Sequence, residues 1–172
     1  MRICFWLAAS ALIATPLGAQ SNPLTAGEKG IYTLVKNNII KAAQKMPEAN
    51  YAFKPTPEVR SFGQLIGHIA DAQYLFCSAA AGEKNPAPGI EKSKTSKADL
   101  VQAVQDAFAY CDKVYDGLTD AHATEMVKFF GREQARLSVL SFNTAHDDEH
   151  YGNIVTYMRL KGLVPPSSEA RR

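Results

Sequence analysis

The sequence predicts an all-α fold, a four-helix bundle in up-down-down-up order with a long crossover between the second and third helices. Three observations predict it. Four segments place apolar residues three and four apart, the repeat of an amphipathic helix, and prolines, glycines or capping residues bound them. The connection from Gly82 to Thr95 is polar and carries Pro86, Pro88 and Gly89, as a surface crossover should. Cys77 and Cys111 come to matching heights only if the second and third helices run parallel.

The first helix is expected from about Leu24 to Lys45. Ile31, Leu34, Val35, Ile39 and Ala42 form its apolar face, and Pro47 ends it. Met46 to Arg60 is a linker held out of helix by Pro47, Pro55 and Pro57. Tyr51 and Phe53 within it are expected to cover the end of the bundle. The second helix opens on Ser61-Phe62-Gly63-Gln64, a capping box with Ser61 as N-cap. Phe62, Leu65, Ile66, Ile69, Ala72 and Phe76 carry its face to about Ala81, and His68 sits at the edge of that face. Gly63 and Gly67 weaken this helix by about 1 kcal/mol each relative to alanine, yet they let a backbone or a ligand come close beside His68.

The third helix starts at the N-cap Ser96 and runs to about Asp116, with Gly117 stopping it. Counted from the helix starts, Cys77 and Cys111 differ in height by about 1.5 Å if the helices are parallel. An antiparallel pair would carry the sulfurs beyond the Cα separation of about 7 Å that a disulfide tolerates. A parallel pair needs a crossover, and Gly82–Thr95 can reach about 45 Å. A disulfide and two buried thiols that never meet both remain open on the sequence. Leu118 to Arg136 is irregular, with a short extended piece at Met126 to Phe130 and a solvated loop histidine, His122. The fourth helix is expected over Leu137–Lys161, closed by Gly162 and by Pro165-Pro166.

The ends and the composition bound the setting. Met1-Arg2, an apolar run from Ile3 to Ala14 and small residues up to Ala19 read as a signal peptide over residues 1–19. The chain is then exported, periplasmic or secreted, and keeps two cysteines in an oxidising compartment. The domain spans 20–168 and a loose tail 169–172. With 46% hydrophobic and 21% charged residues the composition is that of a globular protein, and no later segment is apolar enough to span a membrane after cleavage. A net charge of +2 without a basic cluster gives no reason to expect nucleic acid. No phosphate-binding loop, nucleophile elbow or dinucleotide fingerprint is present.

His146-Asp147-Asp148-Glu149-His150 carries the chemistry. Histidines four apart lie on one helix face, one turn apart, and can share a metal ion. If the second and fourth helices are antiparallel, His68 comes to the same height and completes a three-histidine site. Asn143, Asp71 and the acidic triplet are candidates to orient the imidazoles. Glu149 or Asp147 is a candidate base toward a nucleophile at the metal. His146 to His150 also matches H-x-x-E-H, the inverted zinc-peptidase motif, but too little chain follows His150 for a further ligand helix.

Three stretches carry a family resemblance: Lys54 to His68 (KPTPEVRSFGQLIGH), Ala145 to Asn153 (AHDDEHYGN) and Leu160 to Pro166 (LKGLVPP). They resemble the DinB-like, YfiT-related metal-binding four-helix-bundle family, which is unrelated to the DNA polymerase of that name. The resemblance runs from about Leu24 to Ser168. It implies the up-down-down-up bundle, a metal triad at His68, His146 and His150, a divalent metal such as zinc or nickel, and frequently a homodimer. Some members are thiol transferases or isomerases that use small cytoplasmic thiols, pools from which an exported chain is separated. The expectation is an exported metal-dependent hydrolase or transferase of a small-molecule substrate. The alternative is a non-catalytic protein that binds a metal or small ligand.

Overall fold

The structure, a computed structural model, describes residues 22–170. The expected signal peptide, residues 1–19, and the terminal Arg171-Arg172 lie outside the described residues. Four long helices build the bundle: α1 (Pro23–Lys45), α2 (Phe62–Ala81), α4 (Lys97–Gly117) and α5 (Arg136–Leu160). A short helix, α3 (Ile90–Ser93), sits in the crossover, and a hairpin of β1 (Met126–Phe129) and β2 (Arg132–Ala135) precedes α5.

Local chemistry sets most boundaries. Ser61 Oγ accepts from the Gln64 amide at 3.2 Å and Gln64 Oε1 accepts from the Ser61 amide at 2.9 Å, so the capping box opens α2. Ser96 Oγ accepts from the Asp99 amide and opens α4. Gly82 takes a left-handed conformation just past α2, which only glycine enters without a steric penalty. Tyr51 is buried with its hydroxyl donating to Ala43 O at 2.6 Å, and Phe53 packs edge-on against Tyr157, so the two rings do close that end of the bundle.

Contacts along the helices fix their directions. Leu100, early in α4, packs on Gly63 and Gly67, early in α2, and Cys77 and Cys111 close a disulfide late in both, with Cα atoms 5.4 Å apart. These two helices are therefore parallel. Glu28 of α1 accepts from Ser141 and Thr144 early in α5, and Lys45 at the far end of α1 reaches Val164 O just past α5. Those two are parallel as well. Tyr32 of α1 reaches Phe108 O and Asp112 near the end of α4, and Tyr157 near the end of α5 reaches Arg60 O before α2. The order is up-down-down-up, as expected.

Three details differ from the sequence reading. In α1, Ile31 and Leu34 are 54% and 64% exposed, and Tyr32 takes the core position instead. Tyr32 stacks on Tyr115 at 3.9 Å between centroids, and its hydroxyl has two partners in α4. The crossover is not only surface chain, since Ile90 is buried and α3 packs on α2. The extended piece at Met126 pairs into a hairpin, with Phe129 opposite Arg132. Among the described residues no helix is long and apolar enough to cross a membrane.

Candidate metal centre

Antiparallel α2 and α5 bring His68 beside His146 and His150. The Nε2 atoms of His68 and His146 are 3.2 Å apart, and those of His150 and His146 are 3.0 Å apart. Donor atoms of all three lie within 4.8 Å of one another, a group that could hold a metal ion. Nitrogens at the usual zinc distance of about 2.0–2.1 Å in a tetrahedral shell stand about 3.3 Å from one another. The donor set and its spacing therefore fit a divalent ion of that kind.

Burial prepares the imidazoles for such a role. Loss of solvent holds His146 down to about 3, with His150 and His68 adding to the effect. Burial likewise holds His150 down to about 4, and lowers His68 below the usual histidine range. All three are therefore neutral at pH 7 and offer lone pairs rather than protons.

Glu91 of α3 orients His68, and sequence reasoning missed it. Its Oε2 lies 3.3 Å from His68 Nδ1, while Oε1 accepts from Arg60 Nε at 3.0 Å. A proton on Nδ1 facing the carboxylate leaves Nε2 free toward the other histidines. Gly67 makes this approach feasible: a Cβ there would stand 2.8 Å from the Glu91 Cα. Asp71, a candidate to orient an imidazole, directs its carboxylate to α3 instead. Its carboxylate accepts the amides of Gly89, Ile90 and Glu91 at 2.8, 2.8 and 2.9 Å, and so anchors α3 on α2. A proline-glycine step followed by an isolated glutamate was the only sequence signal for this arrangement.

The other candidates divide. Asn143 is buried but serves the core, donating to Gln73 Oε1 at 3.0 Å and to the Tyr115 hydroxyl at 3.3 Å. Asp147 is fully buried, accepts from Gln73 Nε2 at 2.6 Å, and burial pushes its carboxyl well above the usual range. A carboxyl sealed in the core and held by Gln73 is out of reach of a substrate and is poorly placed as a base. Asp148 and Glu149 are exposed. Glu149 lines a polar cavity of about 560 Å3 with His150, Lys54, Arg60, Gln64 and Tyr157. His122 pairs with Thr119 in the loop before β1, apart from the triad.

Comparison with known proteins agrees with the fold. A protein of Bacillus subtilis, the uncharacterised YjoA, is 24% identical over 130 residues, covering 74% of this chain and 84% of that one. The crystal structure of YjoA superposes with a TM-score of 0.68, at 22% identity over 88% of this chain and 100% of that chain. A DinB-like protein from Bacillus cereus superposes with a TM-score of 0.72, at 20% identity over 82% of this chain and 95% of the other. A mycothiol-dependent maleylpyruvate isomerase shares the fold with a TM-score of 0.62, at 14% identity over 76% of this chain and 60% of that one. Residues 31–154, from the middle of α1 almost to the end of α5 and including all three clustered histidines, match the DinB superfamily, and the chain belongs to it.

Proposed function

We propose that this chain is an exported metal-dependent enzyme, a hydrolase or transferase of a small-molecule substrate, with zinc or nickel held by His68, His146 and His150. The observation that carries the reading is the convergence of three neutral imidazoles with Nε2 atoms 3.0 and 3.2 Å from one another through His146. A divalent ion on such a set supplies Lewis acidity beside an open position. Glu91 holds the His68 tautomer, and Arg60 holds Glu91. Glu149, at the mouth of the polar cavity beside His150, is the side chain available to accept a proton from an incoming nucleophile. Asp147 is left out of that role by its burial. The fold shared with a thiol-dependent isomerase supports including thiol transfer among the reactions screened. Export and a homodimer belong to the same reading.

The test is elemental analysis of protein purified from the exported fraction without an affinity-metal step, beside His68→Ala. About one equivalent of zinc or nickel in the parent, lost in the variant, is the expected result. No metal in either protein, with a normal helical spectrum, would replace the enzyme reading with that of a non-catalytic small-ligand binder.

A further inference from the structure

A second cavity, of about 540 Å3, meets the triad at His68 and His146, where the polar cavity meets it at His150, and is lined also by Leu75, Phe76, Phe130 and Phe142. The metal site does not need these apolar walls. Leu75, Phe130 and Phe142 are 42%, 66% and 44% exposed, so each keeps much of its apolar surface in water although both rings also meet the buried Phe76 and Phe129. Large apolar side chains gathered in water mark a binding surface. The volume lies within the range of about 300–1,000 Å3 found for small-molecule pockets, which are mostly apolar with a few convergent polar groups.

Phe130 supplies an independent observation. It occupies the two-residue turn of the hairpin with Gly131, and both residues have positive φ, 48° and 76°. That turn prefers Asn-Gly or Gly-Gly, because a side chain is strained at positive φ and a bulky one is an outlier. Burial of the ring does not offset the strain. The ring lies against its neighbour Phe129 at 4.2 Å and stands 6.1 Å from both Phe76 and Phe142, and Phe76 meets the His146 imidazole edge-on at 5.2 Å. A strained, exposed aromatic is held beside the candidate metal face by the tip of a hairpin. Such outliers collect at sites where the surroundings use them.

We propose that this cavity is a specificity pocket that receives an aromatic or branched aliphatic group of the substrate, joined directly to the polar group that meets the three histidines. The proposal rests on the metal reading above. The polar cavity at His150, lined by Lys54, Arg60 and Gln64, leaves the other side of the reacting group in polar surroundings. The substrate class is therefore a small molecule with one apolar flank, rather than a uniformly polar metabolite.

The experiment titrates zinc-loaded protein with acetohydroxamate and benzohydroxamate, chelators that differ only in methyl against phenyl. Benzohydroxamate should bind tighter by about tenfold or more, the gain expected from burying a phenyl ring. Phe142→Ala and Phe130→Asn should bring the two affinities together while zinc content and acetohydroxamate affinity stay at parent values. Phe130→Asn places a turn-favoured residue at the positive-φ position, so its melting temperature should hold or rise. A lower melting temperature with the phenyl preference intact would make Phe130 merely structural and overturn its part in the pocket. Equal affinity of the two hydroxamates in zinc-loaded parent would overturn the pocket and leave the metal site standing. Parent protein that takes up neither zinc nor nickel would overturn the metal reading and the proposal with it. A parent dimer that Phe130→Asn dissociates, with no phenyl preference, would assign the aromatic face to a second copy of the chain.

Discussion

Asp147 and Glu149 stand two residues apart on α5 and meet different surroundings. Glu149 is in water, whereas Asp147 is sealed behind Gln73. The sign of the Asp147 effect follows from its raised pKa. Between the unfolded carboxyl value of about 3.9 and its raised native value, the native state holds a proton that the unfolded chain releases, so this group's contribution to stability falls as pH rises through that interval. The histidines act in the opposite sense. With native values near 3 for His146 and 4 for His150, their contribution is full above about 6.5 and is lost as pH falls toward those native values. Asp147→Asn keeps an acceptor for Gln73 and removes only the carboxyl titration. The melting temperature of Asp147→Asn minus that of the parent, both metal-free, should therefore grow as pH rises above the unfolded carboxyl value of about 3.9. A difference that stays flat or shrinks would show that Asp147 ionises normally in the folded protein. At this scale the sequence made His146 and His150 legible through helix geometry, and His68 through its place early in α2 once α2 and α5 run antiparallel. Glu91 was not legible as their partner. It lies in a proline-containing crossover, and its meeting with His68 depends on where that crossover lands.

The elements show how closely competing patterns can run. Along α1, Ile31-Val35-Ile39-Ala42 and Tyr32-Val35-Ile39-Met46 both fit a helical stripe. Val35, Ile39 and Ala42 are buried as the periodicity requires, but at the edge of the stripe the bundle buries Tyr32 in place of Ile31, because Tyr32 finds a stacking partner in Tyr115 and acceptors for its hydroxyl. The crossover shows a second case: Asp71 captures three amides of α3 and Gly67 leaves room for its backbone. Gly67→Ala should gain about 1 kcal/mol of helix propensity. It also drives a Cβ against the Glu91 Cα, a backbone atom that can yield only by displacing α3. The expected outcome is zinc affinity about 10- to 100-fold weaker, matching Glu91→Gln, as for loss of a carboxylate that orients a ligand histidine. A competition titration with a chromogenic chelator reads it. Parent-like affinity in both variants would remove Glu91 from the site.

For the whole molecule, the disulfide joins two helices that no short loop connects. Cys77 and Cys111 close a loop spanning 34 residues, a constraint on the unfolded chain worth about 4 kcal/mol in the chain-entropy account. Cys77→Ala/Cys111→Ala should lower the unfolding free energy by a comparable amount in denaturant titration. Purified protein denatured without reductant should show no free thiol at these positions. Two titratable thiols there would remove the disulfide from the native protein.

By itself the sequence determined the four helices, the N-caps of α2 and α4, the crossover and the pairing of His146 with His150 on one helix face, and it pointed to the up-down-down-up order and to His68 as their partner. Each of these rests on local spacing, on chain length or, for the order, on matching cysteine heights, and the family pattern agrees with them. Only the tertiary structure decided which stripe of α1 is buried, that Asp71 anchors α3, that Glu91 holds His68, and that Phe130 stands over an apolar cavity beside the triad. Those outcomes depend on contacts between residues far apart in the chain. Several local patterns were equally compatible with the periodicity, and packing between helices chose among them.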